Sequence, residues 1–553
     1  MKRFFVLMAL CLFVFQLSAQ FKVIARGPSF EEPEEGYAKI LFMKNKNTVY
    51  VHITPKDGIK LKIYDADHKQ ILSRGVSHKF GNLKGLNVEG CFEINKNITL
   101  LISEYDDRTP VLYRIVLEGQ TGAIVSQEEL AKLNKITMGS AYAMQFGGVK
   151  MPDFIVRKDP QSENYAVATF NTFASERDRR VEVVHYNSQQ QIVSKSYLST
   201  PEDKYKFVNI LDIAVVEDKE AFALIYAYNT ARSGGKEGEL FVANFRNNVE
   251  NADYVSLTTD EGQMSTEGIL KFNKSDSKLY AVTQVKSAVK KKGFLSNTEK
   301  QFYDVGFHIV DTKAKKGIVG PAIDLSGVNR KYKEMFGEKN NYSGVLQNFY
   351  LNDDGTYTYI FEGLTITETT RASSTLTTHS TTYELGDIAV LNYDNKGRQT
   401  SCALVPKSQM LNNSIMTGGG GVTAAPLYHY TRDFTAQYLK GGNQFKSFAY
   451  LNGKSKNFIL INDVEENEER IQKGKITNIK GVGECDGFAF ETNTANVLPS
   501  RKFVFGKPSD RKDHNLAIFT ISDFDRESNV YATLKLEVDG RDRKVKVVWM
   551  QPE

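Results

Sequence analysis

Tryptophan is nearly missing from this chain: one residue in 553, Trp549. A sugar platform built on stacked indole faces therefore loses its best residue, although 27 tyrosines offer a partial substitute. Cysteine is scarce too. Cys11 lies in an apolar N-terminal stretch, and Cys91, Cys402 and Cys485 stand far apart with no CxxC spacing. An odd set so spaced argues against zinc sites and a disulfide framework and allows at most one bridge, so the three read as small buried hydrophobes. The histidines show neither HxxxH nor HExxH spacing, and there is no GxSxG elbow and no Asp-x-Asp-x-Asp-Gly loop. Gly418–Gly421 lacks the Gly-Lys-Ser/Thr ending of a phosphate-cradling loop. No catalytic set, metal site or cofactor is expected, and a binder is favoured over an enzyme.

Strong charge of one sign and long apolar runs are also lacking. Lys2 and Arg3, the apolar stretch Phe4 to Leu17 and the small pair Ser18-Ala19 have the form of a secretory signal, residues 1–19, that is too short to span a bilayer comfortably. Cys11 follows the bulky Leu10, which argues against a lipoprotein. Export to the periplasm, the outer surface or the medium is expected, with no transmembrane segment after cleavage. Removal of Lys2 and Arg3 leaves 69 basic and 66 acidic side chains. A field that weak collects neither nucleic acid nor anionic membrane.

What is present is a repeat. Seven times a β-branched and aromatic strand reaches a short polar turn and returns: Phe42–Val51, Phe92–Leu101, Phe154–Val167, Ile213–Ala223, Phe272–Val282, Phe349–Tyr359 and Phe448–Leu460. A second hairpin follows each, turning at Asp65, Glu118, Asn187, Arg246, Asp311, Asp394 and Ser522. Val49, Val51 and Ile53 alternate with Tyr50 and His52, and Ile59, Leu61 and Ile63 with Lys60, Lys62 and Tyr64. Four-stranded units with two apolar faces bury neither alone and must stack. The pattern predicts an all-β fold: one β-propeller over 20–553 with seven blades of four antiparallel strands, near 37–83, 86–133, 150–200, 206–258, 266–326, 343–408 and 443–540.

Insertions are expected at 365–382, where 12 of 18 residues are Ser or Thr, at 412–430 and at 475–513. The first reads as an extended hairpin or a flap. Short helices are expected at 127–134, from the capping pattern Ser126 to Glu129, and at Lys331–Phe336, stopped by Gly337. Either Phe21–Ala25 or Lys544–Trp549 is expected to close the ring from the opposite chain end.

In these hairpin units the chain resembles β-propeller proteins as an architecture, and more narrowly an uncharacterised secreted bacterial propeller family. It has no Trp-Asp strand ends as in WD40 repeats and no Gly-Gly doublet as in kelch repeats. Asn352 to Tyr357 resembles a sialidase aspartate box, but occurs once and without its Trp.

Such a topology sends both hairpin turns of every blade to one end of the ring and the other links to the opposite end. The mid-blade links are the longer and more charged: Glu104–Arg108, Ser175–Arg180, Thr230–Glu239, Val289–Lys300, Ile366–Leu385 and Glu465–Lys475. Loops held on a rigid ring are the usual seat of recognition. Asp106, Asp107, Arg108, Glu176, Arg177, Asp178, Arg179, Arg180 and Arg232 are the expected binding residues, since Arg forks pair with carboxylates and sulfates. The expected partner is an envelope or extracellular protein, peptide or glycan. The alternative is a hydrolase or lyase of polysaccharide or peptide with its site at the channel mouth.

Overall fold

The computed structural model describes residues 21–553 apart from 81–85, 148, 199–203, 230–237, 248, 258–264, 292–297, 338–340, 373–376, 414–442, 495, 511–512 and 540–541. The signal segment, the 412–430 insertion beyond Asn413, and Arg232 lie outside the described residues. No described helix is long and apolar enough to cross a membrane.

Tyr37–Phe42, Thr48–Thr54, Gly58–Tyr64 and Gln70–Val76 pair in chain order as one antiparallel sheet, blade 1. The same unit recurs over 87–132, 153–197, 207–257, 265–319, 345–405 and 449–503 as blades 2 to 7. Ala517–Asp525, Val530–Asp539 and Asp542–Gln551 form blade 8, whose fourth strand is Lys22–Arg26 from the chain start. The ring has eight blades, not seven. The stretch 443–540 holds two of them: 475–513 is no insertion into one blade, because it supplies the outer strands Asp486–Glu491 and Arg501–Phe503 of blade 7. The outermost of these has three residues, too few to show a period of two. Ser522, expected at a turn, lies inside the first strand of blade 8.

Alternation places the side chains as expected. Val49, Val51, Ile53, Ile59, Leu61 and Ile63 pack toward blade 2, whereas Tyr50 and Tyr64 pack toward blade 8. Eight apolar clusters fill the eight seams, one between each pair of neighbouring blades. Polar links reinforce the inner ring. Asp212 of blade 4 accepts from Arg157 Nε of blade 3 at 2.8 Å and from Leu270 N of blade 5 at 2.9 Å. Asp523 of blade 8 accepts from Phe42 N of blade 1 at 2.7 Å. Cys91 and Cys485 are buried and Cys402 is half-buried, all three unbridged.

The two stretches expected to close the ring pair with each other: Lys22–Arg26 lies antiparallel on Asp542–Gln551. The seam next to this closure is pinned by Trp549. Its Nε1 donates to Thr48 Oγ1 of blade 1 at 2.9 Å, and its ring meets Tyr64 edge-on and stacks on His68.

The helix expected at 127–134 is instead strand Ile124–Lys132, the outer strand of blade 2. Pairing with Thr109–Glu118 along nearly the whole segment outweighs a four-residue capping signal, which serves only the first free amides of a helix. Helices occupy Met138–Gly147 and Ser326–Phe336, the latter ended by Gly337 in the left-handed conformation (φ 64°).

Trp549→Ala is expected to cost about 3–5 kcal/mol of unfolding free energy, from lost packing at the closure seam. Thr48→Val, which strands the indole N–H, should cost about 1–3 kcal/mol. Guanidinium unfolding of both variants measures this.

Candidate functional site

The strands point alternately along the ring axis, so the two ends of the ring are built differently. At one end the turns between first and second strands span only two to six residues. At the other end the arms of two hairpins run on past the ring. Lys278–Lys291 with Thr298–Asp311 in blade 5, and Tyr357–Ala372 with Thr377–Tyr393 in blade 6, are 14 to 17 residues long. They join through Thr298–Thr367 and Glu299–Ile366, and Gln409–Asn413 adds to the second, so both blades belong to one nine-stranded sheet. Residues 365–372 and 377–382 are thus paired arms of an extended hairpin. Met138–Gly147, Ser326–Phe336 and the short helix Asn467–Gln472 fall in links at this end.

The expected binding residues divide. Glu104–Arg108 is no long link: strands run to Asp106 and from Thr109, and Asp107 and Arg108 form a two-residue turn with φ of 44° and 66°. Asp106, Asp107 and Arg108 are exposed there, Asp107 pairing with Lys135. Glu176, Arg177 and Asp178 are exposed on a ten-residue link that includes the 3-10 turn Arg177–Arg179. Arg179 is held by Glu250 at 2.9 Å and lies over the Tyr197 ring, while Arg180 donates to the carbonyls of Ala174 and Lys206. Those two arginines shape the link. The segment after blade 2 brings the two groups together, with Ile136 N donating to Arg108 O and Asn134 Nδ2 to Phe173 O.

Two charged sites at the same end were not read from sequence. Around the channel mouth, the first strands of blades 2, 3 and 5 carry Glu89, Asp153 and Glu267 within their first three residues. Lys150 interacts electrostatically with both Asp153 and Glu267, Tyr105 with Asp153 and Glu89, and Tyr303 with Glu267. Desolvation raises the Asp153 carboxyl and lowers the Lys150 ammonium, and it pushes the Tyr303 phenol up to about 12. The three carboxylates lie 64 to 178 residues apart in sequence, with no common spacing to reveal them.

The second site is a pocket of about 280 Å³ at the foot of the blade 6 hairpin. Lys407 Nζ contacts Glu362 Oε1 at 2.6 Å, both side chains essentially inaccessible. Asp387 Oδ1 accepts Lys407 N at 2.9 Å, and Glu384 Oε1 accepts Asn478 Nδ2 at 2.9 Å. Desolvation lowers the Lys407 ammonium despite its carboxylate partner and pushes Asp387 up to about 7. The sequence does carry a trace of this site. Gly363 and Gly386 interrupt the two strands, meet across them, and mark the irregular pairing there. Among the described residues no group of His, Cys, Asp and Glu is placed to hold a metal ion.

No family model and no curated protein matches the chain. Solved structures resemble the chain only at a distance. The polysaccharide lyase Uly1 is 9% identical over 87% of this chain and 93% of its own, with a TM-score of 0.35. The α-L-arabinanase of Penicillium chrysogenum, solved with arabinobiose, is 12% identical over 62% and 94%, with a TM-score of 0.31. A protein of unknown function from Bacteroides caccae is 11% identical over 53% and 84%, with a TM-score of 0.26. Likeness this remote says nothing of activity.

Asp387 gives the pocket a pH signature. Its folded value near 7 lies above the ordinary carboxyl value of 3.8, so the native state holds a proton that the unfolded chain releases. Its contribution to stability is full below about pH 4 and lost as pH rises to about 7. Asp387→Asn should flatten this part of the fall in unfolding midpoint between pH 5 and pH 8, measured by denaturant titration at both.

Proposed function

We propose that this protein is an exported binding propeller whose long-link face recognises an envelope or extracellular protein, peptide or glycan. The observation that carries the reading is the joined pair of hairpins from blades 5 and 6. Seam burial does not require strands that leave the ring, and a rigid ring that elaborates one end only is suited to recognition there. Asp106, Asp107, Arg108, Glu176, Arg177 and Asp178 are the exposed polar contacts of this reading, and Arg179 and Arg180 hold their link. Arg232 belongs to the same set by its place in the charged sequence Thr230–Glu239. The N-terminal segment supports export.

The test is affinity capture from envelope extracts of a bacterium that encodes the protein. One variant has 171–180 replaced by a four-residue turn, and another has both hairpins shortened to ring height. A specific partner should be captured by the parent protein and lost from at least one variant. Capture unchanged in both would refute the assignment of this face.

A second reading is favoured by one observation: Asp153, Lys150, Tyr105 and Tyr303, all with displaced proton affinities, meet at the channel mouth beside Glu89 and Glu267. This arrangement suits acid–base cleavage of a polysaccharide or peptide. Screening glycan and peptide libraries with the parent and Asp153→Asn separates the two readings. Turnover reduced about 100-fold or more by the substitution would support an enzyme, and no turnover on any substrate would favour the binder.

A further inference from the structure

A second large cavity opens at the other end of the ring. It measures about 1150 Å³ and is formed by turns and first-strand ends of blades 3 to 6, with Arg526 reaching in from blade 8. Nine lysine or arginine side chains line it, one of them, Arg157, already held by Asp212 behind the wall, against four lining carboxylates. That excess is notable in a chain whose whole formal charge is +5.

The carboxylates are already engaged. Asp159 accepts from its own turn, at Gln161 N and Ser162 Oγ, and from Glu217 N of the next blade. Asp353 accepts Gln161 Nε2 at 2.9 Å, which ties blade 3 to blade 6, and Glu220 accepts Asn244 Nδ2 at 3.0 Å. Glu217 is shared by Lys219 at 2.6 Å and Lys274 at 2.7 Å, which together lower its carboxyl to about 2. Asp253, at the edge, is shared in the same way by Arg246 and Lys315. Each shared carboxylate leaves one cationic charge over. Two buried donors at the wall, Arg246 Nε and Asn273 Nδ2, have no hydrogen-bond partner, and Asn273 is only 3% exposed. Unpaired N–H groups beside surplus positive charge are what an oxyanion satisfies.

We infer that this cavity is a binding site for an oligosaccharide bearing sulfate or carboxylate groups, independent of the long-link face. The cationic side chains spread across several blades, which fits a ligand with anionic groups at intervals better than a single small ion. Phe272 is the one aromatic in the lining, so nucleobases find almost nothing to stack on. Lys219, Lys274 and Lys315 are more than half exposed, so their existing ion pairs are weak and yield readily to a ligand.

The experiment uses the full chain in calorimetric titrations with a sulfated heparin-type octasaccharide, an oligogalacturonate of equal length, neutral dextran and a DNA dodecamer. One or both anionic sugars should bind, at least about tenfold more weakly at 300 mM than at 50 mM NaCl, as screening requires. The two sugars distinguish sulfate from carboxylate as the preferred group. The triple variant Lys274→Gln, Lys313→Gln, Arg526→Gln should bind about tenfold more weakly or worse, with an unchanged melting temperature. A control with Lys69→Gln and Lys132→Gln should bind as the parent does. Affinity for both anionic sugars no greater than for dextran would overturn the inference, as would unchanged binding by the triple variant. DNA binding tighter than either sugar would also overturn it.

Discussion

Everything in this molecule depends on sheets that are apolar on both faces. A blade of four strands has no solvent-facing side once the ring closes. Its middle strands send alternate residues into two different seams, as Val49 and Tyr50 do in blade 1. No blade is stable by itself, and each seam is completed only by a neighbour. Closure is therefore the decisive step, and it is made by the chain ends. Lys22–Arg26 becomes the outer strand of the blade formed by the last residues, and Trp549 fixes that blade against the first.

A ring stabilised through its seams leaves its two ends free to differ. At one end, short turns bring charged side chains from blades 3, 4, 5, 6 and 8 around a single cavity. At the other, links and long hairpins rise above the channel, and charged groups are drawn into low-dielectric surroundings at their feet. Lys407 with Glu362 is such a pair. Ions desolvated this completely add little net stability, but removal of one partner leaves the other stranded. Charges placed at this expense belong more naturally to a site than to the scaffold.

Much of the ring was legible in sequence because a period of two survives in any strand long enough to show it. The seven first-to-second strand turns and the alternation in blade 1 follow from residues such as Val49 to Ile53. Three features were misread, for physical reasons. Arg501–Phe503 is too short to carry a pattern, which hid the boundary between blades 7 and 8. Ser126 to Glu129 has the local chemistry of a helix start, but a neighbouring strand offers its amides better partners. Asp107-Arg108 lies in a charged stretch that suggested a long link, yet both residues adopt left-handed angles and close a hairpin in two residues.

The candidate sites were less legible than the ring. Asp106 to Arg108 and Glu176 to Asp178 are legible as exposed polar residues from their charge. Glu89, Asp153 and Glu267, or Glu217 and Asp353, come together only because successive blades turn around one axis. By itself the sequence determined that the chain forms paired strands with two buried faces, and hence that it closes into a ring. Period-two burial is a local property, readable wherever a strand is long enough. Tertiary structure alone decided that there are eight blades, that the chain ends share one of them, and which distant charges face one another. Those outcomes depend on the angle between stacked sheets, and no single strand encodes it.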